Sequence, residues 1–180
     1  MAAVADKRRT GILGGRALIF VTVGSMLGFD RLVSAMDEWA EQHPREEVFA
    51  QIGDGRYAPA NMRWTRLLSP TEFRARLRAS RLLVAHAGMG SFFTAMEAQR
   101  PVVMMPRLAA RQEHTTDHQL HTLKWLSARS GVYAVNSEAE LPEAIDRALS
   151  DATAFDRFDR FASSAFLVRL RESILNWAGD

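Results

Sequence analysis

The sequence predicts an α/β fold in which a mostly parallel sheet carries helices on both faces. Short apolar runs such as ALIFVTV at residues 17–23 alternate along the chain with segments whose apolar residues recur every three or four positions. Strands that are apolar on both faces and separated by helices need crossover connections rather than hairpins. This pattern is typical of one Rossmann-like domain, and a chain of 180 residues, 47% of them hydrophobic, can bury one such core.

The predicted elements follow one another in a regular order. Strands are predicted at residues 17–23, 47–52, 62–68, 81–85, 102–105 and 131–135. Helices are predicted at residues 29–42, from Ser69 onward, at 91–99, from about 116 to 129, and from Ser137 to about Ser150. Ser69, Pro70 and Glu72 have the spacing of a capping box with proline at the first helical position, which indicates where one helix begins.

The core is expected to occupy residues 17–150, with a further segment at each end. Residues 1–16 are basic and lack a signal-peptide cleavage pattern, so we expect a loose tail there. In residues 151–180, large apolar residues recur near helical spacing: Phe155, Phe158, Phe161, Phe166, Leu170 and Ile174. This helical segment is expected either to pack on its own domain or to dock on a partner or a lipid surface. The sequence contains no uninterrupted run of about 20 apolar residues, so no membrane-spanning helix is predicted.

Composition and motifs exclude or disfavour several function classes. The net charge of +2 is too small to predict nucleic-acid binding, and the absence of cysteine excludes disulfides, thiolate metal sites and cysteine nucleophiles. A cytoplasmic location is expected. The patterns G-x-x-x-x-G-K-[ST] and G-x-S-x-G are absent, and G-x-G-x-x-G is absent from the first strand–helix turn. These absences disfavour an ATPase, a simple dinucleotide oxidoreductase and a serine hydrolase.

The stretch HAGMGS at residues 86–91 follows a predicted buried strand and precedes a predicted helix. Its two glycines allow the backbone to approach a ligand or to adopt positive φ, and a helix start at Ser91 attracts an anion. His86 adds a hydrogen bond, or a charge when protonated. Gly24 and Ser25 follow the first strand and reach the same predicted edge of the sheet. A phosphate site is one interpretation, and a tight turn with a buried histidine is the other.

Six segments in series resemble the C-terminal, donor-binding domain of family 28 glycosyltransferases. They are FVTVGS at 20–25, FDRLV at 29–33, AQIGDGRYAPAN at 50–61, HAGMGS at 86–91, RPVVMMPR at 100–107 and EHTTDHQ at 113–119. The resemblance runs from about residue 18 to residue 150. It is strongest to the single-domain subunits of two-part enzymes, as in exopolysaccharide synthesis or in N-acetylglucosaminyl transfer to the dolichol-linked oligosaccharide. It implies a fold that is one half of the GT-B type.

The resemblance implies a glycosyltransferase that uses a nucleotide-sugar donor, most often a UDP-sugar, with no required metal or other cofactor. It places the donor diphosphate on Gly24, Ser25, His86, Gly88, Gly90 and Ser91. It places the donor sugar on Arg107, Glu113, His114, Asp117, His118 and Gln119. Relatives carry a ribose-binding glutamate eight residues after the histidine, where this chain has Thr94, and Glu97 one turn later is the nearest acid. The resemblance names no catalytic residue here, and His86 and His118 are the candidates.

The resemblance also implies partners. Transferases of this architecture bind the acceptor in a second Rossmann-like domain, for which 180 residues leave no room. A membrane-anchored subunit is therefore expected to supply the acceptor face and to recruit the chain to the inner face of the membrane. The expected acceptor is a lipid-linked glycan. The alternative is a module that binds a nucleotide-sugar, or regulates, without catalysis.

The stretch EHTTDHQLH at residues 113–121 supports a rival prediction. On one continuous helix, His114, His118 and His121 share a face, beside Glu113 and Asp117, and this spacing is compatible with a zinc site of a metallohydrolase. The first and third histidines would be separated by about 10 Å of helix rise, which is poor geometry for one ion.

Overall fold

The computed structural model describes residues 18–151 and 162–177 of the chain. Six parallel strands form one sheet: β1 (Leu18–Thr22), β2 (Glu47–Gln51), β3 (Arg63–Thr65), β4 (Ser80–His86), β5 (Val102–Met105) and β6 (Val132–Ala134). Their order across the sheet is β3-β2-β1-β4-β5-β6. This is the strand order of the Rossmann fold, so the predicted fold class is confirmed.

Helices connect the strands as the sequence predicts. They are α1 (Asp30–Gln42), α2 (Pro70–Ala79), α3 (Met89–Ala98), α4 (His118–Leu126), α5 (Leu141–Ser150) and α6 (Ser164–Trp177), with single 3₁₀ turns at Ala109–Arg111 and Glu138–Glu140. The predicted capping box at α2 is confirmed, because the Ser69 side chain accepts from Glu72 N and the Glu72 carboxylate accepts from Ser69 N.

The core lies on both faces of the sheet because the side chains of each strand alternate in direction. Ile19 and Val21 of β1 pack with residues of α1 and α5 on one face. Phe20 of the same strand packs with residues of α2, α3 and α4 on the other face. All five residues of β1 are buried, as expected for the central strand of a sheet covered on both sides. This arrangement fixes β1 and β4 side by side at the centre of the sheet.

Three predicted helix starts are wrong. Helix α3 begins at Met89 rather than Ser91, because Gly88 is the extended N-cap with φ of −102°. The predicted helix from about residue 116 begins at His118, because the carboxylates of Glu113 and Asp117 hold the preceding backbone in a loop. Helix α5 begins at Leu141, because the Glu140 carboxylate closes a separate 3₁₀ turn before it.

The third strand is also shorter than the predicted range 62–68. It pairs with β2 only through Arg63–Thr65, because β2 ends at Gln51 and offers no further strand residues for pairing. The remaining residues continue as a connection into α2, and Gly53 N donates to the carbonyl of Arg66.

Helix α6 is exposed along its whole length. All of its residues are exposed, including Phe166, Leu170 and Ile174, and Trp177 is 85% exposed. The two expectations for the C-terminal segment, packing on its own domain and docking on a partner or a lipid surface, stay predictions. Phe155, Phe158 and Phe161, and the predicted basic tail at 1–16, lie outside the described residues.

Of the helices in residues 18–151 and 162–177, none combines the length and the hydropathy that a bilayer crossing requires.

Candidate functional site

A cleft of about 630 Å³ opens at the carboxyl ends of β1, β4 and β5. The strand order reverses between β1 and β4, and crevices at such switch points are where open α/β sheets bind ligands. The predicted site residues that line the cleft are Gly24, Ser25, His86, Gly88, Gly90, Ser91, Thr94, Arg107, His114, His118 and Gln119. The side chains of Glu97, Glu113 and Asp117 are not part of this lining. The loops that are far apart in sequence therefore meet at one site.

The His86 ring lies between two glycines on opposite loops. A Cβ atom added at Gly24 would lie 2.9 Å from His86 Cε1, and one added at Gly88 would lie 2.4 Å from His86 Nε2. Gly24 also has φ of +83°, which side chains rarely adopt. Positions 24 and 88 therefore need glycine for close approach to the ring, whereas a Cβ at Gly90 would meet nothing within 4 Å.

His86 is neutral at physiological pH. Burial lowers its pKa to about 4, and the positive charge of Arg107 acts on the pKa in the same direction. Ser91 Oγ lies 3.4 Å from His86 Nδ1, at the first turn of α3. Of the two roles that the sequence allows, this environment therefore favours a neutral hydrogen-bonding imidazole over a charged one.

The loop after β1 is held from its buried side through its carbonyl oxygens. Arg107 Nη2 donates to Val23 O at 2.7 Å and to Leu27 O at 2.6 Å. Gln51 Nε2 donates to Gly24 O at 2.9 Å. Sequence reasoning missed Gln51, and its signal was a glutamine that directly follows the apolar run at residues 48–50.

The amide groups beside the cleft are left free. Within residues 18–151 and 162–177, the backbone N–H groups of Ser25 and Met26 have no hydrogen-bond partner. The same holds for the N–H groups of Met89, Gly90 and Ser91, which form the first turn of α3. We call residues 24–27 and 88–91 together the glycine wall of the cleft. Free N–H groups and a helix N-terminus favour an anion.

A second part of the cleft lining comes from residues 106–119, here called the histidine wall, of which Arg107, His114, His118 and Gln119 line the cleft. Arg31 of α1 donates to both carboxylate oxygens of Glu113 at 2.8 Å and to Pro106 O at 2.9 Å. Arg31 also donates to Glu138 at 2.9 Å. The hydrogen bond to Glu113 raises the pKa of Arg31. This buried pair fixes the shape of the wall, and sequence reasoning missed Arg31 although it lies in the FDRLV segment.

Other predicted sugar-binding residues also hold this wall. Asp117 Oδ1 accepts from Ala109 N at 2.8 Å, and Gln119 Oε1 accepts from Arg107 N at 3.0 Å. The rings of His114 and His118 meet edge to face with their centroids 4.5 Å apart, and both line the cleft. Partial desolvation, and then the neighbouring His118, lower the pKa of His114. The cleft-facing groups of this wall are therefore side chains.

Of the two residues predicted to bind the ribose, one lines the cleft and the other does not. Thr94 lines the cleft, and its Oγ1 donates to Gly90 O at 2.6 Å. Glu97 is exposed one turn further along α3 and does not line the cleft. Contact of either residue with a ribose stays a prediction.

The arrangement does not support the rival zinc site. His114 precedes α4, so the helical spacing that joined His114, His118 and His121 does not apply. No group of three or more histidine or acidic side chains in the described part of the chain comes together in a way that could hold a metal ion.

The family model named Glycosyltransferase family 28 C-terminal domain matches residues 18–167. The chain belongs to this family. Among solved structures, the family 28 chain is 25% identical to the glycosyltransferase SnogD from Streptomyces nogalater, with a TM-score of 0.54 over 84% of this chain and 39% of SnogD. No curated protein sequence matches the family 28 chain significantly.

Two further structures share the fold at lower identity. ALG13, solved in solution by NMR, is 17% identical with a TM-score of 0.53 over 89% of this chain and 96% of ALG13. UDP-GlcNAc 2-epimerase from Neisseria meningitidis, bound to UDP-GlcNAc, is 13% identical with a TM-score of 0.55 over 77% of this chain and 37% of the epimerase. The family 28 chain spans about 40% of the length of the first structures that it matches. Its fold is one half of the GT-B type.

Proposed function

We propose that this family 28 domain is the donor-binding subunit of a glycosyltransferase that moves a sugar from a UDP-sugar to a glycan. The observation that carries the proposal is the glycine wall, where free N–H groups of two loops lie on either side of the neutral His86. These groups suit a diphosphate because they offer several donors at a helix N-terminus. The Neisseria meningitidis epimerase, which has the same fold, is bound to UDP-GlcNAc, and this supports the choice of nucleotide.

The proposed mechanism uses these donors on the leaving group. The acceptor hydroxyl oxygen attacks the anomeric carbon while a general base takes its proton, the bond from that carbon to the phosphate oxygen breaks, and UDP leaves with the electron pair. Fixed N–H groups stabilise the negative charge that develops on the diphosphate, which requires no metal. The hydroxyl groups of Ser25 and Ser91 and the His86 imidazole add hydrogen bonds to the same anion.

The histidine wall is proposed to select the sugar. His114, His118 and Gln119 line the cleft on this side and present polar groups to the hexose hydroxyls. Glu113 and Asp117 are proposed to act indirectly, by positioning this wall, because their carboxylates bind Arg31 and the loop backbone. We propose that the acceptor-binding subunit supplies the general base. Of the two candidates in this chain, His118 suits that role better than His86, because burial lowers the pKa of His86 to about 4.

A membrane-anchored acceptor subunit is the proposed partner, and a lipid-linked glycan is the proposed acceptor. The chain covers only about 40% of the length of the first structures that it matches, which supports an acceptor face supplied by a further domain or subunit. The match to ALG13 covers 96% of that chain, so a protein of similar extent with the same fold supports a separate subunit. Helix α6 offers the docking surface, because Leu167, Leu170, Ile174 and Trp177 recur at three and four positions and are all exposed.

Calorimetry on the full chain tests the nucleotide assignment. UDP, GDP, ADP, NAD and UDP-sugars are titrated into the wild type, into His86→Ala, and into His121→Ala as a histidine control outside the cleft lining. We expect selective binding of UDP and UDP-sugars that His86→Ala weakens and His121→Ala leaves intact. Preference for NAD would move the assignment to an oxidoreductase domain.

Surface variants of α6 test the partner. The chain is co-expressed with candidate membrane-anchored subunits as the wild type, as Leu170→Ser with Ile174→Ser, and as the control Arg169→Ser. We expect the apolar pair alone to lose the complex while UDP binding is kept. Retention of the complex contradicts docking by α6. Binding to anionic vesicles without any subunit points to a lipid surface, and concentration-dependent dimers point to a second copy.

A further inference from the structure

Arg107 is a buried arginine whose guanidinium faces the protein backbone. Its residue exposure is 4%, and a single nitrogen, Nη2, contacts the carbonyls of Val23 and Leu27 at 2.7 and 2.6 Å. These carbonyls mark the two ends of the loop in the glycine wall. One side chain after β5 therefore ties down a loop after β1.

Gln51 acts on the peptide between these two carbonyls. Its Nε2 donates to Gly24 O at 2.9 Å, and its Oε1 accepts from Leu68 N at 2.9 Å. In a planar trans peptide the C=O and N–H groups point in opposite directions. Because Gly24 O points at the Gln51 side chain, the N–H of Ser25 in the same peptide points away from that side chain. Gln51 is 3% exposed at the edge of the cleft lining, which Ser25 also joins.

We propose that Arg107 and Gln51 are positioning residues that hold the loop so that its amide groups face the donor diphosphate. This inference rests on the proposed function. It assigns to Arg107 a role in shaping the phosphate side of the cleft, in addition to the sugar side to which the sequence resemblance assigned it. The loop is then arranged for an anion before one arrives, which lowers the cost of binding.

The positive charge of Arg107 also favours an anion in the cleft. Within the described ranges no carboxylate forms an ion pair with Arg107, and its buried Nε has no hydrogen-bond partner. Burial lowers the pKa of the guanidinium, although Glu113 opposes the change. A buried cation without a counter-ion is unfavourable, so an anion in the adjoining cleft gains from its presence. Arg107 thus favours a diphosphate even without touching it.

Arg66 provides a matched control for a purely structural role. Its Nη1 donates to Gly53 O at 3.0 Å and to Gly55 O at 3.1 Å, so it too binds two carbonyls of a neighbouring loop. Arg66 is exposed and does not line the cleft. A change that only loosens a loop should therefore be seen with both arginines, whereas a change in anion binding should be seen with Arg107 alone.

The test compares Arg107→Met, Arg107→Lys, Gln51→Met and Arg66→Met in the full chain. UDP affinity is measured by calorimetry, and the Ser25 amide signal and the pKa of His86 are measured by NMR. We expect Arg107→Met and Gln51→Met to weaken UDP binding by about 10- to 100-fold and to shift the Ser25 amide signal. Arg107→Met should also raise the pKa of His86, because the Arg107 charge lowers it. Arg66→Met should stay within about twofold of the wild type.

Each outcome decides the inference. Wild-type UDP affinity with an unchanged Ser25 signal in both Arg107→Met and Gln51→Met would overturn it. If Arg107→Met does not fold, Arg107→Lys and Gln51→Met carry the same comparison, since lysine keeps the charge without the two-carbonyl contact. If the wild type binds no UDP, the proposed function fails, and the Ser25 signal and the His86 pKa still report whether the two side chains position the loop.

Discussion

The glycine wall of the cleft carries free backbone N–H groups, whereas the histidine wall presents the polar side chains of His114, His118 and Gln119. Gly24 and Gly88 lie against the partly buried His86 ring, and nearby N–H groups have no partner in the described residues. On the histidine wall, Glu113 pairs with Arg31, and His114 and His118 line the cleft. We propose from this difference that the backbone N–H groups bind the diphosphate common to all donors, whereas the side chains recognise the sugar.

The largest effect is expected from a substitution that disrupts the glycine wall. Gly88→Ala places a Cβ 2.4 Å from His86 Nε2, so the buried ring has to move. We expect a loss of about 3 kcal/mol in the free energy of unfolding, and no measurable UDP binding. Gly90→Ala is the matched control for the free energy of unfolding, because its Cβ would meet nothing within 4 Å. Denaturant unfolding and calorimetry of both variants check this, and equal behaviour of the two would contradict the close approach.

The next largest effect is expected from a substitution that removes the ion pair between Glu113 and Arg31 in the histidine wall. Glu113→Gln removes the charge that pairs with Arg31, where the side chains are only 8% and 11% exposed. We expect a loss of about 2–3 kcal/mol in unfolding free energy, with faster amide hydrogen exchange in residues 106–117. Glu138→Gln, which alters the more exposed partner of Arg31, should cost less than about 1 kcal/mol. Similar losses in both variants would show that Glu113 does not brace the wall.

A third effect is the pH dependence that the buried imidazole imposes. The pKa of His86 is about 4 in the fold and near 6.5 when unfolded, so the unfolded chain takes up a proton first as the pH falls. The contribution of His86 to stability is complete above pH 6.5 and declines towards pH 4, by about 2 kcal/mol between pH 7 and pH 5. Unfolding curves of the wild type and His86→Gln at both pH values measure it. Parallel declines in the two proteins would remove His86 as the cause.

The smallest effect is expected from a substitution that separates sugar binding from diphosphate binding. His118→Gln changes an exposed side chain, so stability should stay within about 0.5 kcal/mol of the wild type. We expect about a 5- to 10-fold weaker affinity for UDP-sugars and unchanged affinity for UDP, measured by calorimetry. An equal loss for UDP and for UDP-sugars would place His118 on the diphosphate instead.

The sequence predicts the fold and the place of the cleft because both depend on local patterns. Apolar periodicity gives the strands and helices, and strand-end glycines mark the edge where ligands bind. The partners of Arg31 and Arg107 could not be predicted, because each contact joins residues about 75 or more positions apart. The sequence places the start of α3 too late because Gly90, a weak helix former, sits in its first turn.

The central claim is that the amide groups of the glycine wall bind the diphosphate of the donor. The most direct measurement is an NMR titration of the ¹⁵N-labelled chain with UDP. The account predicts saturable shifts of the amide signals of Ser25, Met26, Met89, Gly90 and Ser91, with smaller changes in residues 108–116. Shifts confined to residues away from the cleft, or none for these amides at a saturating concentration of UDP, would contradict it.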